Sequence, residues 1–456
     1  MLQNVDAVHG LYYLLMHFWI EGFGASAVSL RMPSALAVGA GAAGVYVLAR
    51  GLGGSRLALC GALMFAVLPR VTWTGIEARS YAFSAAAAVW LSVLLIGAIQ
   101  RNTGWRWIAY AAMSAVSVAT NLYLVLLIAS HAVTLFALRD VTWRQRFRWL
   151  SAATAGMLAC APVLYLSMRQ GSQISDQELG WTRWIQNVVV NQWFLGDTPT
   201  TQEGGTGTSQ PWVIAAVTLA GLCWSVMGFA VHWALIRRRK ASPPRWLVWV
   251  VPQIFLPTVV IGLYSLLIHP MYNPRYLSMS TPAVAILIAA GLRLLPGYWT
   301  RAAAGIMIVL CATPVYLSQR ERQGKSGTDW MEIANYMSAH ADAPDAVYFS
   351  PRYPPSEAET GLTLRRIAVA YPEAFSGLRD LTLHVSGAAN GTLDGSSRLI
   401  GDSLDKLTGV QRVWMIRRLD YPDVFAQADD QKLEAAGFKS RLAWSGPVDY
   451  ILEFTR

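Results

Sequence analysis

Charge is what this sequence has least of. Only 14% of its 456 residues are charged, against about 25% in an ordinary soluble domain, which excludes a single water-soluble globule. The deficit is uneven. From Pro33 to Leu317 apolar runs are broken by short polar turns, and from Gln319 onward the composition is that of a globular protein. That shift is the main domain boundary. Cysteine is nearly absent too. Cys60, Cys160, Cys223 and Cys311 each lie alone in an apolar run, without the spacing of a metal site or an obvious disulfide, and read as small core residues. The C-terminal part has no Gly-rich phosphate loop, no His/Cys cluster and no nucleophile elbow, so it reads as a domain that binds or shapes access rather than one that performs chemistry.

What is present is basic charge in particular places. A formal charge of +10 would suit a nucleic-acid binder, but its placement argues for topology. Arg237, Arg238, Arg239 and Lys240 follow one apolar run, and Arg144, Arg146 and Arg148 sit between two others. Basic residues flanking spans mark cytoplasmic loops. Candidate spans are 33–49, 56–74, 80–100, 106–119, 121–138, 149–168, 212–236, 246–268, 278–295 and 301–319, each judged against the roughly 20 apolar residues that a bilayer core needs. The fourth and fifth share a tight turn at Thr120-Asn121 and fit a broken or re-entrant element. The basic loops all fall on one side. The opposite side holds residues 1–32, the loop Arg70 to Arg79, the long loop 169–211, the loop His269 to Tyr276, and everything after Gln319.

The fold class that follows is a polytopic α-helical membrane protein of about ten transmembrane helices with a small C-terminal extracytoplasmic α/β domain. Residues 1–32 form an outer-loop segment, 33–319 the transmembrane domain and 320–456 the soluble domain. In the soluble domain, 328–340 and 429–436 read as helices, and 346–350, 411–416 and 450–455 as strands, a two- or three-layer α/β arrangement. Residues 11–22 are too short and mixed to span. They read as an interfacial amphipathic helix with Tyr12, Tyr13, Phe18 and Trp19 at headgroup depth. An N-terminus outside the cell with no signal segment before it leads to the expectation that a first transmembrane helix, and the start of its outer loop, precede Met1.

Three polar clusters lie on the outer side, where ionisable groups near a membrane default to functional hypotheses. Asp6, His9, Tyr12 and Tyr13 form the first. Asp6 suits a general base toward an acceptor hydroxyl, and equally an N-cap. Glu77, Arg79 and Tyr81 form the second, either an interfacial ion pair with an aromatic anchor or an arginine holding an anionic headgroup while Glu77 orients it or contacts a sugar hydroxyl. His269, Tyr272, Arg275 and Tyr276 form the third. Arg275 suits bidentate phosphate binding, and also snorkelling to headgroups. The loop 169–211 adds Trp181, Trp184, Trp193 and Phe194 with Asp176, Glu178 and Asp197; its segment 186–194 fits an interfacial helix and 200–210 a flexible tip.

On these strings the chain resembles the C superfamily of integral-membrane glycosyltransferases, in its protein-O-mannosyltransferase-like branch. They are Asp6 followed by Gly10-Leu-Tyr-Tyr-Leu-Leu, then Gly24 with Leu30-Arg31-Met-Pro33-Ser34, then Glu77-Ala-Arg79-Ser-Tyr81, Asn273-Pro-Arg275-Tyr276 and Asp329-Trp330. The resemblance implies an enzyme that takes a sugar, mannose or arabinose, from a polyprenyl-phosphate donor at the outer leaflet of the plasma membrane and inverts the anomeric carbon. It implies an acid in the first outer loop as base, here Asp6, and basic residues, here Arg79 and Arg275, on the lipid phosphate. His9, Glu77, Tyr81, Tyr272 and Tyr276 fall where sugar or acceptor contacts are expected. Two departures stand out. The acidic pair that such enzymes carry after their first helix would precede Met1, and Val8-His9-Gly10-Leu11 replaces the usual His-Pro-Pro-Leu. A chain without that pair reads as inactive if Asp6 does not serve. Expected partners are the polyprenyl-phosphate sugar lipid, the membrane and a glycan or protein acceptor, with no nucleic acid. No cofactor is called for, and a divalent metal ion stays open. The Ala-, Arg- and Trp-rich usage fits a high-GC bacterium such as an actinobacterium.

Two other readings compete. A transporter or flippase of lipid-linked precursors should show internal repeats and mid-span charges; the sequence has no evident repeat, and its in-span histidines, His131 and His232, read as lying near span ends. A non-catalytic scaffold would leave the outer acids and arginines without a purpose.

Overall fold

The computed structural model describes residues 7–169, 180–196, 210–238, 243–321, 328–353, 359–360, 362–390 and 395–456. The chain divides into two compact units, Asp6–Gly324 and Lys325–Arg456.

The first unit is helical. Its order is α1 (Gly10–Phe23), α2 (Ala27–Gly53), α3 (Ser55–Val67), α4 (Pro69–Gly75), α5 (Tyr81–Arg101), α6 (Gly104–Thr120), α7 (Val125–Ala137), α8 (Trp143–Ala159), α9 (Ala161–Arg169), α10 (Trp181–Gln186), α11 (Gln210–Arg238), α12 (Arg245–Leu267), α13 (Thr281–Leu294) and α14 (Tyr298–Ser318). Local chemistry sets the ends. Ser26 caps α2 by accepting from the Ser29 amide, and Thr142 with Gln145 forms a capping box on α8. Gly54, at φ +83°, and Asn102, at φ +47°, turn the chain sharply between α2 and α3 and between α5 and α6, a backbone region that glycine and asparagine enter at least cost. Small residues then allow close packing. A side chain at Gly156 would meet the Ala111 carbonyl oxygen at 2.7 Å, so α6 and α8 approach as membrane helices with small contact residues do.

Among the described residues, six helices are long and apolar enough to cross a membrane, and up to eight spans result if each bent pair counts as one. The expected count of about ten is finer than this. The segment read as one span at 56–74 is α3 and α4, bent by 62°, and that at 149–168 is α8 and α9, bent by 58°. Pro69 opens α4 and Pro162 lies in the first turn of α9, positions where a missing amide hydrogen costs a helix nothing but stops the preceding one. The segment at 121–138 is a short apolar helix, Leu122–Ala137.

Three expectations are corrected here. Tyr12, expected at headgroup depth, is buried at 3% exposure, although Phe18 on the same helix is exposed. The segment expected as an interfacial helix at 186–194 is a π-helix, Asn187–Leu195, with Asn191, Gln192, Trp193 and Phe194 buried. His131 lies in the middle of α7, not near its end, and is fully buried; it bonds Ser92 Oγ at 3.0 Å and the Tyr110 hydroxyl at 3.0 Å, and Tyr110 in turn accepts from Trp149 Nε1. In hydrocarbon such a satisfied cluster links helices where an unpaired one would cost several kcal/mol. Asp176, Glu178, Asp197, Arg239, Lys240 and 200–209 lie outside the described residues.

The second unit is a three-layer α/β domain. Its strands are β1 (Ala346–Phe349), β2 (Glu359–Thr360), β3 (Arg379–Asp380), β4 (Leu383–Val385), β5 (Ser396–Arg398), β6 (Arg412–Arg418), β7 (Lys439–Ser445) and β8 (Asp449–Thr455). The main sheet runs β3-β1-β6-β8-β7, with β1 parallel to β3 and β6 and the β6-β8-β7 pairings antiparallel; β2-β5-β4 form a second, small sheet. Alternation divides the core. Ala346, Tyr348, Val413 and Met415 pack with Leu433 of the helix Asp423–Ala435, and Val347, Phe349, Trp414 and Ile416 pack with Ile333 and Met337 of the helix Trp330–His340. The helix expected at 429–436 therefore begins six residues earlier, after Pro422, because its first turns are polar and carry little apolar period.

Asp329, part of the motif strings above, serves this domain: its Oδ2 accepts from the Val448 and Asp449 amides at 2.8 and 2.9 Å. Burial pushes the Asp449 carboxyl up from 3.8 to about 6, with Arg418 opposing and Asp329 adding to the rise. A carboxyl whose folded pKa is raised is fully accommodated while protonated, and its contribution to stability is lost as pH climbs from about 4 to about 6. Asp449→Asn should therefore raise the stability of the domain near neutral pH by up to about 3 kcal/mol, read as slower hydrogen exchange in β6 and β8, and should flatten the change across that window. Unchanged exchange would contradict the burial argument.

Candidate outer-face site

The three motif clusters are brought to one end of the first unit by a set of backbone ties. Ser34, near the start of α2, donates to the Glu77 carbonyl at 2.6 Å and approaches the Arg79 carbonyl at 3.4 Å. The Arg79 amide closes a tight turn onto the Glu77 carbonyl at 2.8 Å. This turn follows α4 and leads into α5, so it holds Glu77 buried and Arg79 exposed. The string from Leu30 to Ser34 and the string from Glu77 to Tyr81 thus form one structural feature.

The third cluster enters through Asn273, whose Oδ1 accepts from the Arg275 amide at 3.0 Å and caps the 3-10 turn Pro274–Ser280. Ser278 Oγ, in the same turn, donates to the Tyr81 carbonyl at 3.0 Å. Tyr276 stacks on Tyr123, with ring centroids 4.5 Å apart and planes 11° from parallel. The Tyr272 hydroxyl donates to Gln192 Oε1 at 2.7 Å, and Gln192 Nε2 donates to Thr258 at 2.7 Å. The π-helix therefore forms one wall beneath this loop.

Arg70 was not singled out from the sequence, where it reads as the edge of an outer loop. It is completely buried. Its Nη2 donates to the Pro274 carbonyl at 2.7 Å and the Arg275 carbonyl at 3.3 Å. Its Nε and Nη1 have no hydrogen-bond partner among the described residues. Glu77, Tyr272, Tyr81 and Arg275 surround it within electrostatic reach. A guanidinium in this setting ties the α3–α4 bend to the loop that carries Arg275, and Glu77 offsets its charge through space. The signal was available: an arginine directly after a proline inside an apolar run is placed in the interior if the helix bends there.

Tyr81 is the meeting point. Its phenol lies within electrostatic reach of Arg79, Glu77, Arg275 and Tyr276. His9 reaches the same place from the short turn before α1: its Nδ1 bonds Ser80 Oγ at 2.9 Å, and its ring meets Tyr81 edge-on at 6.0 Å. Tyr12 faces Ser34, and burial pushes its phenol up to about 12 with Arg79 opposing the shift. Burial also raises the Tyr272 phenol above its ordinary value, with Arg70 opposing. Both phenols stay protonated; that of Tyr272 donates to Gln192, and that of Tyr12 has no hydrogen-bond partner among the described residues. His9, Glu77, Arg79, Tyr81, Tyr272, Arg275 and Tyr276 are thus neighbours, while Asp6 lies outside the described residues. Among the described residues no group of three or more His, Cys, Asp or Glu gathers to hold a metal ion.

Residues 11–166, about a third of the chain, match the family described as dolichyl-phosphate-mannose-protein mannosyltransferase. Solved structures of ArnT from Cupriavidus metallidurans are similar along nearly the whole length. The one bound to undecaprenyl phosphate is 13% identical, covers 97% of this chain and 87% of its own, and has a TM-score of 0.52. The apo state is 12% identical, covers 97% and 86%, and has a TM-score of 0.54. At these identities the likeness is one of fold. No curated protein matches the chain.

Arg70→Ala should free the Pro274 and Arg275 carbonyls. A charge-assisted bond contributes about 1.5–3 kcal/mol, so amide exchange across 274–280 should quicken by roughly 10- to 100-fold. Exchange unchanged in that turn would mean that Arg70 does not hold the loop.

Proposed function

We propose, from the premise that the chain shares the fold and the N-terminal family signature of the C-superfamily membrane glycosyltransferases, that it transfers a sugar from a polyprenyl-phosphate donor to an acceptor hydroxyl on the extracytoplasmic face. The observation that carries this reading is the convergence of Arg79 and Arg275 on Tyr81 beside the buried Glu77. A leaving polyprenyl phosphate develops negative charge, and preorganised guanidinium groups stabilise it where it forms. The fold likeness to a structure that holds undecaprenyl phosphate supports the same donor class.

In this reading the acceptor oxygen attacks the anomeric carbon from the face opposite the phosphate. The carbon–oxygen bond to the phosphate breaks, and its electron pair leaves with the polyprenyl phosphate. The acceptor proton passes to a carboxylate, assigned to Asp6. One displacement inverts the anomeric carbon. Arg79 and Arg275 hold the phosphate, Arg70 fixes the Arg275 loop from behind, and Glu77 orients Arg79 or takes a sugar hydroxyl. His9, Tyr81, Tyr272 and Tyr276 form the sugar and acceptor wall, with the Tyr272 hydroxyl already committed to Gln192. Mannose and arabinose are the sugars we favour, with a glycan or protein as acceptor, and the C-terminal domain lies on the same outer side.

Labelled sugar transfer by the full chain in proteoliposomes tests this. Arg275→Ala should raise the KM for the lipid donor by about 10- to 100-fold. Asp6→Asn should lower kcat by about 100- to 10,000-fold with donor binding intact. Donor affinity unchanged in Arg275→Ala would remove the phosphate assignment, and full turnover by Asp6→Asn would remove the base.

A further inference from the structure

At the opposite ends of the same helices, two adjoining cavities open where α2 ends, α3 begins, α11 ends, α12 begins and α13 ends. The larger, about 440 Å³, is lined by Leu52, Leu57, Trp233, Trp246, Arg245 and Arg293, among others. The smaller, about 240 Å³, shares Leu52 and Arg245 and adds Gln100, Asp140, Gln145 and Trp249. This is the end that carries the basic loops, the cytoplasmic side by the positive-inside rule.

The charges here are arranged unlike those of an ordinary surface. Arg245 pairs with Asp140 at 2.7 Å, with both side chains more than half exposed, and such a pair contributes little. Arg293 is half-buried and, among the described residues, donates to the Gly53 carbonyl alone, at 3.2 Å, at the C-terminal end of α2. Among the described residues no acid pairs with it. In the larger cavity the two guanidiniums are flanked by leucine and tryptophan, with no other charged side chain in its lining. Trp105, Trp143 and Trp299, exposed at helix ends on this same face, mark headgroup depth as interfacial tryptophans do. A basic pocket between membrane helices, apolar beneath and aromatic at its rim, is suited to a lipid headgroup. A free phosphate would need more polar lining than the larger cavity offers.

We infer that these cavities bind the phosphate headgroup of an anionic phospholipid from the cytoplasmic leaflet, held by Arg293 and Arg245 with its acyl chains against Leu52, Leu57 and Leu294. The site is separate from the proposed sugar-transfer site, so its failure would leave that reading untouched.

Native mass spectrometry of the full detergent-solubilised chain, with added cardiolipin, phosphatidylglycerol or phosphatidylcholine, tests the inference. Wild type should retain the two anionic lipids and not phosphatidylcholine. Arg293→Gln should lower anionic-lipid retention by about fivefold, as expected for one guanidinium near a membrane surface. Leu294→Trp, which fills the cavity without changing charge, should lower it too and serves if Arg293→Gln fails to fold. Arg301→Gln, on the same face but outside the lining, should retain lipid as wild type does. Wild-type retention by Leu294→Trp or by folded Arg293→Gln would overturn the site. Inorganic phosphate raising the melting temperature of lipid-free wild type, but not of Arg293→Gln, would overturn the lipid as its occupant.

Discussion

The bond from the Arg70 guanidinium to the Pro274 and Arg275 carbonyls is the constraint on which the candidate site depends. It joins residues two hundred positions apart, and it does so in an interior where an unpaired charge is costly. Without the bend at Pro69, α3 would run straight and Arg70 would emerge at the surface. With it, the guanidinium turns inward and fixes the loop of Arg275, while Ser34 fixes the turn of Glu77 and Arg79 from the other side. The backbone that carries Arg79 and Arg275, the residues proposed to hold the phosphate, is fixed in this way by bonds to its carbonyls and amides, so only the two side chains are left to order at the moment of binding.

The bilayer as solvent explains much of the remainder. In hydrocarbon, polar side chains persist where partners exist, and the buried set of Ser92, His131, Tyr110 and Trp149 forms a closed chain of bonds across α5, α6, α7 and α8. That chain is a helix-to-helix clamp, and among the described residues its members bond one another and no charged side chain. The flippase reading would want an unsatisfied or charged mid-span group; none of these four is one.

Much of this was legible in the sequence. Apolar runs and arginine-flanked loops located the six helices that, among the described residues, are long and apolar enough to cross a membrane, because length and composition are what a bilayer selects. Short ordered strings at Glu77, Arg79, Tyr81 and Arg275 pointed to residues that the fold gathers. What was hidden followed from bends. A proline inside an apolar run reads as continuation when only hydropathy is weighed, so α3–α4 and α8–α9 looked straight and Arg70 looked superficial. Tyr12 and the segment containing Trp193 looked interfacial because aromatic residues suit both a headgroup layer and a packed core. In the C-terminal domain, buried strands announced themselves as apolar runs, whereas the short edge strand β3, the mostly exposed edge strand β7 and the polar first turns of the helix after Pro422 carried no such period.

The most direct test of the central claim is a structure of the full chain with a polyprenyl phosphate bound. The account predicts phosphate oxygens within hydrogen-bond distance of both Arg79 and Arg275, with the Pro274–Ser280 turn in its present position against Arg70. A phosphate seated elsewhere, with Arg79 and Arg275 both turned away from it, would contradict the account.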